Sequence, residues 1–160
     1  MCIRDSSVSA KIVIIGAGQL GRRLKQIVRK LGTRNVLFVG PVVDEQKFNY
    51  YRHARAVVFP SHMRSEAFGM TLVEGAMFGL PLISCEIGTG TTFVNIHGET
   101  GIVCTPSDAE SLAAAMRTLE EDDALATKFG RTARQRFEVL FTIEKMASDY
   151  ESLYKLCLEE

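Results

Sequence analysis

Apolar residues along this chain follow two alternating rhythms. Short, largely β-branched runs at residues 11–15, 36–39, 56–59, 82–85 and 100–104 read as strands. The segments between them carry apolar residues at helical spacing. Residues 19–31 place Leu20, Leu24, Ile27, Val28 and Leu31 on one side of a helix. A second helix is predicted from Asp44 to about Ala54, and a third over 70–78, ended by Gly79 and Pro81. Gly40-Pro41 and Pro60 stop the strands before the second and third helices. After Asp108 only helical spacing remains: Leu112, Ala115, Met116 and Leu119 line 108–121, and Ile143, Met146, Tyr150, Leu153, Tyr154 and Cys157 stripe the last helix. Strands that alternate with helices and are nearly continuously apolar are buried on both faces. The expected fold is therefore α/β: a Rossmann-like parallel sheet with helices on both faces, and extra helices at the C-terminal end.

Composition narrows the class without choosing a function. The chain has 160 residues, 46% hydrophobic and 24% charged, in the range of one globular domain with a core. Lys and Arg balance Asp and Glu at 19 each, which excludes a nucleic-acid binder held by an overall positive field and leaves only a local basic patch. Arg22-Arg23, at a helix start, reads as a solvated face. Cys2, Cys85, Cys104 and Cys157 have neither metal-ligand nor redox spacing, so free thiols in a reducing cytosol are expected. His53, His62 and His97 have no ligand spacing either, and no metal site is expected. No apolar run is long enough to span a bilayer. Residues 1–10 lack periodicity and a signal-peptide core, and read as a disordered lead-in or as sequence foreign to the fold, leaving 11–160 as the domain.

Chemistry concentrates in Ser65-Glu66-Ala67-Phe68-Gly69-Met70-Thr71-Leu72-Val73-Glu74. Here two carboxylates flank the start of a predicted helix. The first amides of a helix have no partner inside it and attract anions. With the helix beginning near Gly69, Glu74 lies roughly 7 Å along the axis, while Glu66 stays on the loop before it. A ligand with a charged middle and hydroxyl-rich ends, such as a nucleotide-sugar, suits that arrangement. The plainer alternative makes Glu66 a partner of the helix dipole and Glu74 a solvated helix residue. Against it, Leu72, Val73, Ala76 and Met77 surround Glu74, and a carboxylate in so apolar a helix needs a partner.

Gly16-Ala17-Gly18-Gln19-Leu20-Gly21 forms a complete GxGxxG between a strand and a helix, the context of a dinucleotide site. That site also requires an acid at the end of the next strand. Here the strand ends Phe38-Val39-Gly40, and Asp44 lies beyond a Gly-Pro break, so a tight strand-to-helix turn is the favoured reading. An NAD(P)-binding oxidoreductase domain is the alternative function.

A family resemblance joins these landmarks. Pro60-Ser61, Arg64 through Gly69, Leu72-Val73-Glu74 and Gly79-Leu80-Pro81-Leu82-Ile83-Ser84 resemble the retaining glycosyltransferases of family four, with the GT-B fold. Their Glu-x7-Glu motif is matched by Glu66 and Glu74. Gly40 through Asp44, Glu86 through Thr91, His97 through Gly101, Arg136-Phe137 and Phe141-Thr142 look like further landmarks. The resemblance runs from about Lys11 to the C-terminus and is closest to members acting in bacterial surface polysaccharide assembly.

The resemblance implies roles. Glu66, the catalytic candidate, would hydrogen-bond hydroxyls of the transferred hexose. Phe68, Gly69, Met70 and Thr71 would offer backbone amides to sugar and diphosphate, and Glu74 would hold the ribose. Val42, Val43 and Asp44 match the loop that holds the base, where an Asp would accept from the exocyclic amine of guanine. A helix N-cap is the other reading of Asp44. Lys47 matches a nucleotide-contacting lysine of some mannosyl-transferring members, or is a surface lysine. Arg64 either reaches the ligand or anchors its loop. The Gly- and Thr-rich stretch from Glu86 to Thr92 either closes over the nucleotide or simply turns.

The donor would be a GDP- or UDP-linked hexose, with mannose on guanine nucleotide favoured. It is a substrate, and the resemblance implies no cofactor and no metal. The acceptor would be a glycan or a lipid-linked glycan, and the enzyme cytoplasmic, peripheral at the inner face of the membrane. The family has two Rossmann-like domains with the active site between them. Its donor domain opens with one more strand and helix, whose Arg and Lys clamp the diphosphate. Nothing before Lys11 supplies that unit, so the chain is expected to be the C-terminal, donor-binding half alone and inactive in transfer by itself. A non-catalytic nucleotide-sugar module is a third reading. The family's last helix crosses to the N-terminal domain, so the stripe from Ile143 to Tyr154 is expected to be partly exposed.

Overall fold

A computed structural model of the chain describes residues 9–158. In order the elements are β1 (Ile12–Ile15), α1 (Gly21–Leu31), β2 (Val36–Gly40), α2 (Asp44–His53), β3 (Val57–Phe59), α3 (Met70–Met77), β4 (Leu82–Cys85), α4 (Thr91–Val94), β5 (Gly101–Cys104), α5 (Ala109–Glu121), α6 (Asp123–Leu140) and α7 (Ile143–Leu158). The reading of residues 1–10 as a lead-in lies outside the described residues except at Ser9 and Ala10. Ser9 donates to the Glu120 carboxylate, and the Ala10 carbonyl accepts from Asn35 Nδ2 at 3.0 Å.

Every strand pair is parallel. Among the described residues the strands form two sheets, β1-β2 and β3-β4-β5, where the sequence predicts one. The expectation of a buried first strand is also corrected. Val13 and Ile15, which share one face of β1, are exposed, while Ile12 and Ile14 on the other face are half-buried.

The three-stranded sheet holds the core. Its central strand, β4, is buried throughout. Leu82 and Val57 face a cluster built by Tyr51, Leu72, Val73, Ala76, Leu80 and Ala133, so α2, α3 and α6 contribute to that side. Ile83, Cys85 and Cys104 face a second cluster with Leu112, Ala115, Leu119 and Phe129 of α5 and α6. Adjacent residues of β4 thus supply opposite layers, as period-two alternation requires.

Aspartate side chains cap α5 and α6, while α1, α2, α3 and α4 start without a side-chain cap bond. Asp108 accepts from the amides of Glu110 and Ser111 at 3.0 and 3.1 Å, and Asp122 from Leu125 at 2.8 Å. Asp44 does not cap α2: Val43 holds that position without a side-chain bond, and Asp44 is the first helical residue. The stretch after Glu86 is not only a turn, since it feeds the short helix α4. On α7, Ile143, Met146, Tyr150, Leu153 and Tyr154 are all more than half exposed, in line with the expected uncovered stripe.

A buried polar triad, not foreseen in the sequence, ties α4 to the sheet. Asn95 Nδ2 donates to Ser84 Oγ at 2.8 Å and to the Ile102 carbonyl at 3.2 Å, while Thr100 Oγ1 donates to Asn95 Oδ1 at 3.0 Å. All three side chains are inaccessible to water. Asn95→Ala leaves two buried hydroxyls short of partners, so it is expected to destabilise the fold by about 2–4 kcal/mol in equilibrium urea unfolding.

Candidate functional site

Gly69 sets the geometry. It adopts a left-handed conformation (φ 86°, ψ 60°) that turns the chain from the loop after β3 into α3. A Cβ there would come within 3.0 Å of Leu72 Cδ1 and 3.3 Å of Thr91 Cγ2, so shape and backbone both call for glycine. Glu66 Oε1 accepts from the Gly69 amide at 2.9 Å and lies 3.4 Å from the Phe68 amide. The first carboxylate therefore sits over the positive end of α3, as its plainer alternative reading requires. The amides of Met70 and Thr71, which open the helix, have no hydrogen-bond partner among the described residues.

Glu74 lies one turn further along α3, half-buried, and has the partners its surroundings demand. Lys47 Nζ approaches Oε1 at 2.7 Å, and Tyr51 Oη donates to Oε2 at 2.9 Å. Lys47 also pairs with Asp44 at 3.1 Å. Asp44, Lys47 and Tyr51 occupy one face of α2 at spacings of three and four, which brings the face to Glu74. Tyr51 was missed in the sequence, although that spacing from Lys47 was legible. A carboxylate has about four acceptor positions. With one partner on each oxygen, Glu74 is held in place and still accepts further hydroxyl donors.

The titration of this cluster favours the same state. The Lys47 ammonium is held above its ordinary value by its hydrogen bond to Glu74 first and to Asp44 second, against a smaller effect of burial. The contribution of the Lys47 charge to stability is thus present at neutral pH and is lost as pH rises through the raised value. Burial, then the bond to Glu74, pushes the Tyr51 phenol up, so it stays a donor at neutral pH. Burial likewise raises the thiols of Cys85 and Cys104, which keeps both protonated and unreactive.

The remaining predicted residues divide. Val42 and Val43 lie on the loop before α2, with Val43 largely exposed beside Asp44. Arg64 anchors its loop, its guanidinium 3.4 Å from the Gly88 carbonyl. The Gly90 amide donates to the Ala67 carbonyl at 2.9 Å, so the glycine-rich stretch is strapped to the Glu66–Gly69 segment. Phe68 meets Phe141 edge-on at 6.0 Å, and Phe141 meets Phe93 at 5.9 Å. Arg136 stacks 4.9 Å above Phe93 and donates to its carbonyl through both Nε (3.2 Å) and Nη2 (2.6 Å). The landmark residues Arg136 and Phe141 therefore buttress the loop from behind. Among the described residues no three His, Cys, Asp or Glu side chains group to hold a metal.

These features define an α/β module with an open helix N-terminus between two carboxylates. The chain belongs to the family described as Glycosyl transferases group 1, which residues 3–136 match. It is 45% identical over 148 residues to an O-antigen chain mannosyltransferase C of Escherichia coli, covering 92% of this chain and 40% of that protein. It is 52% identical over 131 residues to the D-rhamnosyltransferase WbpZ of Pseudomonas aeruginosa, covering 82% of this chain and 34% of that one. A sucrose-phosphate synthase from Thermosynechococcus elongatus superposes with a TM-score of 0.82 at 29% identity, over 93% of this chain and 39% of the other. The chain thus spans about two-fifths or less of the curated relatives it matches.

The GT-B resemblance holds, and the oxidoreductase alternative is overturned. The family match covers the GxGxxG itself, and β2 ends at Gly40 without the acid a dinucleotide ribose requires. The motif serves as the turn from β1 into α1, with the Gly21 amide bonded to the Gly18 carbonyl at 2.9 Å.

Proposed function

We propose that this chain is the donor-binding domain of a retaining glycosyltransferase that transfers a hexose from a nucleotide diphosphate to a glycan or lipid-linked acceptor. The observation that carries the reading is the start of α3: a left-handed Gly69, two open amides, and Glu66 and Glu74 on either side. A diphosphate at the open amides of Met70 and Thr71 meets the positive end of the helix dipole. The hexose then extends toward Glu66, which turns its oxygens from the Gly69 amide to sugar hydroxyls and frees that amide for phosphate. The ribose extends toward Glu74. Val42, Val43 and Asp44 border the base, and Lys47, paired with Glu74 and Asp44, reaches the nucleotide.

As the bond between the anomeric carbon and the diphosphate oxygen breaks, positive charge develops on the sugar ring and negative charge on the leaving diphosphate. Amides already aimed at the diphosphate position stabilise the leaving group without reorganising. The reading assigns no resident cofactor and no metal. The similarity to a mannosyltransferase and a D-rhamnosyltransferase supports a mannose-type hexose. The acceptor is bound by sequence beyond this chain, and the whole enzyme works in the cytoplasm against the inner face of the membrane. No helix among the described residues is long and apolar enough to cross a membrane.

Isothermal titration of the chain with GDP-mannose, UDP-glucose and NADH tests this. Micromolar binding of a nucleotide-sugar, with GDP-mannose tightest, is expected. NADH binding with no response to either nucleotide-sugar would overturn it.

A further inference from the structure

The charges of this neutral chain are not evenly spread. Between Ser6 and Val43 there are seven cations and no acid, so the rest of the chain carries an excess of seven negative charges. Five of those cations, Arg22, Arg23, Lys25, Arg29 and Lys30, stand on α1, and all five are exposed. At 100° per residue they fall within an arc of about 160°, while Leu24, Ile27, Val28 and Leu31 occupy the opposite 100° or so. Leu24, Ile27 and Val28 are buried or half-buried, so the solvent face of the helix is basic along roughly 12 Å. None of the five has an ion-pair partner among the described residues. Asp44, Glu74, Asp123, Glu138, Asp149 and Glu151 pair with cations outside this unit.

We infer that the outer face of α1 is a docking surface for an anionic phospholipid bilayer. Charge complementarity identifies the partner: clustered Lys and Arg on an amphipathic helix are drawn to anionic headgroups, each contributing a factor of about five in partitioning near the surface. Five such residues give an enhancement on the order of a thousand-fold over neutral lipid. Leu24, Ile27 and Val28 of the apolar arc are buried or half-buried in the domain, so the helix adheres to the surface without inserting. Nucleic acid fits less well. The face carries no exposed aromatic platform for bases, and the neutral chain has no long-range positive field. The choice of a lipid surface over other polyanions rests on the lipid-linked acceptor proposed above.

Vesicle co-sedimentation of the chain tests the inference, with phosphatidylcholine alone and with added phosphatidylglycerol. Partitioning is expected to rise by two to three orders of magnitude, about a hundred- to a thousand-fold, with the anionic lipid. It should collapse between about 0.1 M and 1 M salt, as the screening length falls from about 10 Å to 3 Å. The R22Q/K25Q/R29Q variant should lose about a hundred-fold of that partitioning. K128Q/K145Q/K155Q, the same charge change on α6 and α7, should lose little. All three positions of the first variant lie outside the donor site, so its nucleotide-sugar affinity, titrated on the same sample, should be unchanged and reports that it is folded. Equal binding to both vesicle types, an equal loss in the control variant, or preferential binding of a DNA oligonucleotide over anionic vesicles would overturn the inference. A chain that binds anionic vesicles but no nucleotide-sugar would instead refute the donor reading and leave this surface standing.

Discussion

Glu74→Ala is expected to lower the affinity of the chain for a nucleotide-sugar by about ten- to a hundred-fold, since each hydrogen bond to a charged group contributes about 1.5–3 kcal/mol. The substitution acts twice. It removes the carboxylate proposed to hold the ribose, and it strips Lys47 and Tyr51 of their shared partner. Lys47 is exposed enough to return to water, but the Tyr51 hydroxyl sits on a buried ring, and orphaning it costs about 1–3 kcal/mol. Glu74→Gln separates the two effects. The amide oxygen still accepts from Tyr51, so the melting temperature should fall much less than in the alanine variant. The charge facing Lys47 and one acceptor for the ribose are lost, so affinity should still drop. Calorimetric titration beside a thermal melt reads both. An alanine variant that binds within about twofold of the parent, a difference well under 1 kcal/mol, would place the ribose elsewhere.

Gly101→Ala is expected to be the most damaging small substitution in the sheet. Gly101 opens β5 against the central strand, and a Cβ there would overlap the Leu82 carbonyl. Leu82 is fully buried in β4 and paired on both sides, by Val57 and by Gly101 itself, so its backbone has nowhere to move. Side-chain overpacking usually costs 1–3 kcal/mol, and a clash with backbone in a central strand should exceed about 4 kcal/mol. For a chain of this size that lowers the melting temperature by about 8–16 °C, or prevents recovery of folded protein. Gly18→Ala is the contrasting case. Nothing lies within 4 Å of a Cβ at Gly18, and its φ is not in the left-handed region. That variant should stay within about 0.5 kcal/mol of the parent and leave donor binding intact, although it breaks the GxGxxG pattern. A full loss of stability in Gly18→Ala, or an unaffected Gly101→Ala, would contradict the packing described here.

These two glycines show where local sequence stops being informative. In the sequence Gly18 belongs to a well-known fingerprint and Gly101 sits in an ordinary strand. Their importance is reversed in the structure, because a contact 19 residues away, at Leu82, decides it. Asn95, Ser84 and Thr100 were equally silent: three polar residues scattered over a loop and two strand regions become one buried network only when β4 and β5 pair. Tyr51 lay in between. Its spacing from Asp44 and Lys47 was readable, but the carboxylate that makes the spacing meaningful is on another helix.

From sequence alone came the alternation of strands and helices, their order, the turn at Gly69, and the family signature carried by Glu66 and Glu74. The first three rest on periodicity and short-range chemistry, which act over a few neighbouring residues, and the signature rests on resemblance to a known family. Tertiary structure decided what those residues do to one another. It set Glu66 on the Gly69 amide, locked Glu74 between Lys47 and Tyr51, braced Phe68 with Phe141 and Arg136, and divided the expected sheet between β1 and β3. Hydrogen bonds and buried contacts depend on distances between segments far apart in the chain, and those distances exist only once the layers have packed.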